Sequence, residues 1–220
     1  MAPIKIALTK GRTEQQVVPL LAASGINCSG LRNKGRKLIF KDDPRYEFIL
    51  VKGPDVLTYL NSGTVQVGIV GSDILDEQTN FQYAMLNLSV GKCRFVLAST
   101  ADFNPQQQRR KIIATKYPNI TKRYFEGIGE DVEIIKIEGS VELAPLIGLA
   151  DAIVDIVETG TTLRENNLKV YAKLQPVNTK LVVNRLALRQ YQPQIKTLIK
   201  NLQAADQQAA RANQIEELSK

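Results

Sequence analysis

Ala152-Ile153-Val154-Asp155-Ile156-Val157-Glu158-Thr159-Gly160-Thr161-Thr162-Leu163 is the stretch that decides the fold class. Its first half is almost wholly aliphatic and β-branched, the pattern of a buried strand. Its second half is a Gly/Thr turn that enters a helix running through Arg164. A strand that passes through a short loop into a helix is half of a βαβ unit, so the chain is expected to be α/β. Backbone N–H groups at such a helix start are unpaired and carry partial positive charge. Small residues admit a close approach and threonine hydroxyls add donors. Glu158, Thr159, Gly160, Thr161 and Thr162 are therefore a candidate phosphate cradle. An ordinary capped βα turn uses the same residue types, with Thr as N-cap. Asp155, near the strand end, is a candidate acceptor for sugar hydroxyls.

Outward from this stretch the alternation repeats. Ile4 to Leu8 reads as a first buried strand, followed by the basic turn Thr9-Lys10-Gly11-Arg12. Thr13 and Gln16 have the spacing of a capping box for the helix that follows, and Pro19 should kink that helix or delay its start. Lys37 to Lys41 and Glu47 to Val51 flank a turn and suggest a hairpin. Val65 to Val70 is a strand ending in Gly71-Ser72-Asp73, where Ser72 or Asp73 can cap the next helix. Short strands are expected at Leu86 to Leu88, Arg94 to Ser99, Lys111 to Ala114, Val132 to Ile137, Val170 to Leu174 and Lys180 to Val183. From Leu186 to the end one apolar stripe recurs at three- and four-residue steps, with Pro193 suited to a first helical turn. Two clusters of βα units imply two lobes: residues 1–93 with 180–220, and residues 94–179. The chain is expected to cross between them near 92–99 and 174–183.

Composition narrows the functional classes. At 220 residues, 44% hydrophobic and 23% charged, the chain is an ordinary globular sequence. A domain of this length buries about 70% of its unfolded surface and needs no staple. It has no histidine, which excludes imidazole-based acid/base chemistry, Ser-His-Asp and Cys-His nucleophile systems, and zinc sites built on imidazole. Cys28 and Cys93 form no CxxC pattern, which points to a reducing compartment and no disulfide framework. No segment has the form of a signal peptide. No apolar run reaches the about 18 residues of a membrane helix. A cytoplasmic location is the expectation.

The formal charge of +7 favours anionic partners without choosing among them. Nucleic acid is a poor choice, because aromatics are 6% of the chain, Trp is absent and no helix-turn-helix or zinc pattern occurs. The nucleoside-triphosphatase P-loop is absent, and Gly127-Ile128-Gly129 does not extend to a dinucleotide fingerprint. Cations and Gly-rich turns do recur at strand ends: Lys10, Gly11 and Arg12; Lys52 before Gly53-Pro54; Asp73 after Gly71; and Glu138-Gly139-Ser140-Val141-Glu142. Each has a bland alternative as a solvated turn or a helix cap. The run Arg32, Lys34, Arg36, Lys37 reads by default as a solvated face. Together they suggest a cleft for a polyphosphorylated ligand.

Glu138 to Glu142, Gly148 to Leu163, Ala7 to Arg12 and Gly68 to Asp73 together resemble the signature of the ATP phosphoribosyltransferases, and the resemblance covers essentially the whole chain. It implies a two-lobed α/β fold of the type II periplasmic-binding-protein kind, with the ligand cleft between lobes. The implied reaction is transfer of phosphoribosyl from phosphoribosyl pyrophosphate to N1 of ATP, the first step of histidine biosynthesis. Mg²⁺ would be carried mainly by substrate phosphates, with no protein metal cage. The chain ends after one helix, which resembles the family's short form. That form works in a hetero-octamer with a regulatory subunit related to histidyl-tRNA synthetase.

Carried over by position, Glu158, Thr159, Gly160, Thr161 and Thr162 would take the 5-phosphate and Asp155 the ribose hydroxyls. Lys10, Gly11, Arg12 and Asp73 would contact ATP. Lys10, Arg32 and Lys52 would be the catalytic cations. Glu142 would lie near the ribose. The family pattern has Arg-Pro where this chain has Lys52-Gly53; lysine keeps the charge but loses the bidentate fork. The competing reading is a two-lobed sensing or binding module without catalysis, since fold alone does not fix function. A third is a subunit active only in complex.

Overall fold

The structure, a computed structural model, describes residues 2–78 and 83–218. Among them, in chain order, are β1 (Ile4–Thr9), α1 (Arg12–Ala23), α2 (Ser29–Arg32), β2 (Ile39–Asp43), β3 (Tyr46–Val51), α3 (Gly53–Asn61), β4 (Val67–Gly71), α4 (Ser72–Glu77) and β5 (Tyr83–Ser99). These are followed by β6 (Lys111–Thr115), α5 (Pro118–Gly127), β7 (Val132–Lys136), α6 (Leu143–Leu146), β8 (Ala152–Val157), α7 (Thr161–Glu165), β9 (Lys169–Val183), α8 (Arg185–Gln190) and α9 (Gln192–Leu218). The chain divides into two compact units. Unit 1 is Met1–Leu75, Thr79–Gly91 and Asn178–Lys220; unit 2 is Asp76–Gln78 and Lys92–Val177. Strands β5 and β9 each run from one unit into the other.

In unit 1 the strand order is β2-β3-β1-β4-β9. β1 pairs in parallel with β3 and β4, while β2 and β9 lie antiparallel at either side. Parallel central strands are buried on both faces, which is why Ile4 to Leu8 is nearly all apolar. On one face Ile6, Leu8, Phe48, Leu50 and Ile69 pack with α1 and α9 through Val17, Leu21, Leu198 and Leu202. On the other, Ala7, Val51, Val70 and Val182 pack with α3 through Val56, Leu57 and Leu60. Asp206 on α9 is buried and accepts from the Ser89 N–H at 2.9 Å and the Ser89 hydroxyl at 2.7 Å.

In unit 2 the order is β5-β8-β6-β7, with β6 parallel to β7 and β8 and β5 antiparallel to β8. Phe95, Ile113 and Val154 meet Ile120 and Phe125 of α5 on one face. Val96, Ala114 and Ile153 meet Ala144 of α6 and Leu163 of α7 on the other. The Glu77 carboxylate accepts the Asn119 and Ile120 N–H groups at 2.9 and 3.0 Å, which caps α5 in place of a side chain at Tyr117.

Several local expectations are corrected. The N-cap of α1 is Gly11, not Thr13, and the helix starts at Arg12, because Gly11 (φ 96°) turns the chain and Glu14, not Gln16, reaches back to the cap N–H at 3.2 Å. α1 runs through Pro19. Ser72 and Asp73 lie inside the first turn of α4. The separate strands expected at 86–88 and 94–99 are one strand, β5, and those at 170–174 and 180–183 are one strand, β9. The C-terminal stripe is two helices, α8 and α9, with Ser219 and Lys220 outside the described residues. No described helix is long and apolar enough to cross a membrane.

Candidate functional site

Ligands of parallel α/β sheets gather at the carboxyl ends of the strands. In unit 1 these ends belong to β1, β3 and β4. The Thr9 hydroxyl donates to Ile69 O at 3.0 Å and the Lys10 N–H to Val51 O at 2.9 Å, so the three ends are stitched side by side. Lys52 is the extended residue before α3. A Cβ at Gly53 would stand 3.4 Å from Ile74 and 3.6 Å from Thr9, which shows how closely the β1, β3 and β4 loops meet. Lys10, Gly11, Arg12 and Lys52 are all exposed at this end, and Asp73 is partly buried there. The Asp73 carboxylate folds back over Gly71, where a Cβ would fall 2.0 Å from Asp73 Oδ1. A side chain at position 71 would have to displace the Asp73 carboxylate.

The basic run between α2 and β2 is drawn into the same place. Glu14 is buried, accepts the Gly11 N–H, and holds the Lys34 ammonium at 2.7 and 2.8 Å. Lys34 is thus an anchor and not merely part of a solvated face. Arg32 closes α2 two residues earlier and is exposed. Burial pushes the Cys28 thiol up to about 11, against the opposing pull of the Arg32 charge.

In unit 2 the carboxyl ends belong to β6, β7 and β8. The buried Thr115 hydroxyl donates to Val154 O at 2.7 Å and accepts the Tyr117 N–H at 2.9 Å, fixing where β6 ends beside β8. Asp155 shares a face of β8 with Ile153 and Val157, the apolar face under α6 and α7. Burial raises its carboxyl above the ordinary range; the Ile156 N–H draws it back, nearby Glu142 adds to the rise, and Lys116 opposes it. Glu142, Asp155 and Lys116 therefore form one charged group at the end of β8. Lys136 and Glu138 pair at 2.7 Å at the end of β7.

The loop after β8 is compact. Gly160 takes the left-handed conformation (φ 73°) before α7. The Thr159 and Thr161 hydroxyls are 3.0 Å apart. Arg164 folds back over them, its Nη1 donating to Thr159 O at 2.9 Å and its Nη2 to Thr161 Oγ1 at 3.1 Å. Glu158, Thr159, Thr161 and Thr162 are exposed around Gly160.

The structure thus groups Lys10, Gly11, Arg12, Lys52 and Asp73 in unit 1, while Arg32 stands exposed at the end of α2 near Cys28. It groups Asp155 and Glu158 to Thr162 in unit 2. Sequence reasoning missed Lys116 and Arg164. The signals were present: Lys116 follows the β6 strand directly, and Arg164 stands three residues after Thr161, one helical turn on. Each unit presents cations, small residues and hydroxyls at its strand ends. This chemistry suits phosphorylated sugars and nucleotides and uses no imidazole or thiolate nucleophile.

A family model described as ATP phosphoribosyltransferase matches residues 52–204. A protein of that name from Lacticaseibacillus casei is 68% identical over 94% of this chain and 98% of its own length. One from Listeria welshimeri is 55% identical over 93% of this chain and 97% of its own length. Among solved structures, the "ATP phosphoribosyl transferase (HisG:HisZ) complex from Thermotoga maritima" is 34% identical, with TM-score 0.77, and is matched over 93% of this chain and 99% of that one. The periplasmic aliphatic sulphonate binding protein SsuA from Escherichia coli, at 14% identity and TM-score 0.64, covers 99% of this chain and 76% of its own. It shares the fold alone.

Proposed function

The chain belongs to the ATP phosphoribosyltransferase family, and from that premise we propose how its residues carry the reaction. The enzyme joins the phosphoribosyl group of phosphoribosyl pyrophosphate to N1 of ATP, the first step of histidine biosynthesis. The N1 lone pair attacks C1 of the ribose, the C1–O bond breaks, and pyrophosphate leaves with its electrons. N1 needs no prior deprotonation, so a site without histidine is no handicap. The barrier lies in bringing two polyanions together and stabilising the leaving group, which positioning and fixed cations supply.

The observation that carries the assignment is the Glu158–Thr162 loop beside Asp155 on β8. The loop holds the 5-phosphate, and Asp155 accepts from the ribose hydroxyls with Glu142 beside it. Lys10, Gly11 and Arg12 take ATP phosphates, and Asp73 contacts the adenine nucleotide. Lys10, Arg32 and Lys52 face the charge that develops on pyrophosphate. Residues 1–93 with 180–220 form the ATP lobe and residues 94–179 the phosphoribosyl pyrophosphate lobe. Mg²⁺ enters on the substrate phosphates, which provide hard oxygen ligands.

The chain corresponds to the family's short form, because the curated relatives are matched almost end to end. The Thermotoga maritima relative was solved as a two-component complex. On that ground the chain works with a separate regulatory subunit; the family resemblance adds that this subunit is of the histidyl-tRNA synthetase type and the assembly a hetero-octamer.

Ultraviolet absorbance of phosphoribosyl-ATP formation tests the reading, with ATP, phosphoribosyl pyrophosphate, Mg²⁺ and pyrophosphatase present. Product forms with the chain alone or once the regulatory subunit is added. Lys10→Ala and Arg32→Ala each lower kcat/KM by about 10-fold or more, as loss of a charge-assisted contact implies. A complete mixture that makes no product and binds neither substrate contradicts the assignment.

A further inference from the structure

We propose that Arg164 is a positioning residue for phosphoribosyl pyrophosphate: its guanidinium braces the 158–162 loop and makes the Thr161 hydroxyl a donor to the 5-phosphate. This rests on the reading of that loop given above. Two observations carry it. First, Arg164 spans two acceptors of the loop at once, Thr159 O at 2.9 Å and Thr161 Oγ1 at 3.1 Å. Its own N–H also donates to Gly160 O at 3.1 Å, so main chain and side chain close on the same turn. Second, a hydroxyl that accepts one such bond keeps its proton for another partner. The Thr159 hydroxyl, 3.0 Å away, lies within reach of that proton, and either hydroxyl of the pair can donate; a phosphate oxygen can take its place. The chain guanidinium, Thr161 hydroxyl, phosphate is polarised in one direction, which strengthens the last bond.

Arg164 is exposed, so its replacement leaves the packed core intact. Steady-state kinetics and thermal melting are measured for the enzyme with its regulatory subunit, in wild type, Arg164→Ala, Arg164→Lys, Thr161→Ala and the double Ala variant. Arg164→Ala raises KM for phosphoribosyl pyrophosphate about 10-fold or more and leaves KM for ATP within about 2-fold, the size of one lost charge-assisted contact. Arg164→Lys recovers part of the loss, since lysine returns the charge but meets only one acceptor. The double variant loses less than the product of the single losses, because Arg164 acts partly through Thr161. If Thr161→Ala raises KM for phosphoribosyl pyrophosphate and Arg164→Ala does not, the brace is wrong and the loop reading stands. If neither variant raises it, both are wrong. Equal rises in both KM values, with a lowered Tm, would reduce Arg164 to a structural role and overturn the proposal.

Discussion

Asp155 shows what the site asks of a single residue. Its carboxylate sits on the apolar face of β8, and burial raises its pKa. A carboxyl raised in the folded state binds its proton more tightly there than in the unfolded chain. Its ionised form therefore lowers stability once pH rises through the folded pKa. Asp155→Asn should accordingly melt higher than wild type at neutral pH, without ligand. The same variant should raise KM for phosphoribosyl pyrophosphate, because an amide is a poorer acceptor for ribose hydroxyls. In wild type the affinity for phosphoribosyl pyrophosphate should fall, on acidification, at a pH above the ordinary aspartate range; in Asp155→Asn that limb should vanish. A lower Tm together with unchanged KM would contradict the assignment. The sequence showed Asp155 at once, because a charge inside a β-branched run is conspicuous. Lys116, Lys34 and Arg164 were harder to see. Each gains its meaning from a partner: Lys116 from Asp155 across two strands, Lys34 from Glu14 across a loop, and Arg164 from its own side chain folding back on Thr159.

Among elements, the β2–β3 hairpin offers a clean electrostatic test. Asp43, buried at the turn, accepts from Arg45 Nε at 2.9 Å and Nη2 at 2.7 Å, and from the Asn27 N–H at 3.1 Å. The Arg45 bonds hold its carboxyl down at about 2, against the opposing effect of burial. A depressed carboxyl contributes stability above its unfolded pKa, and that contribution is lost as pH falls toward the folded value. Asp43→Asn should destabilise by about 1–2 kcal/mol at pH 7, allowing for the half-exposed Arg45. The difference from wild type should disappear as pH falls from about 4 to about 2. A difference that persists unchanged across that window in denaturant titrations would assign the loss to packing instead.

The hairpin was legible because turn residues sit between two apolar runs. Most helices and the parallel strands were legible for similar local reasons. β5 and β9 were not: Ser89 to Cys93 and Gln175 to Thr179 lack a clear alternation, and each is held extended by neighbours far away in sequence. The break between α8 and α9 follows from Pro193, which has no N–H to donate and is stable in a first turn.

At the scale of the molecule, each unit builds the same device, parallel strands whose carboxyl ends release cations and hydroxyl-bearing loops. The two devices differ in chemistry. Unit 1 offers Lys10, Arg12 and Lys52 with the carboxylate of Asp73; unit 2 offers a Gly/Thr loop with Asp155. The central claim is that the first takes ATP and the second phosphoribosyl pyrophosphate. Calorimetric titration of each substrate into Thr161→Ala and Arg12→Ala tests it most directly. The account predicts a crossed pattern: Thr161→Ala weakens phosphoribosyl pyrophosphate by about 10-fold and leaves ATP within about 2-fold, and Arg12→Ala does the reverse. Parallel losses of both substrates in both variants, or unaltered phosphoribosyl pyrophosphate binding in Thr161→Ala, would contradict it.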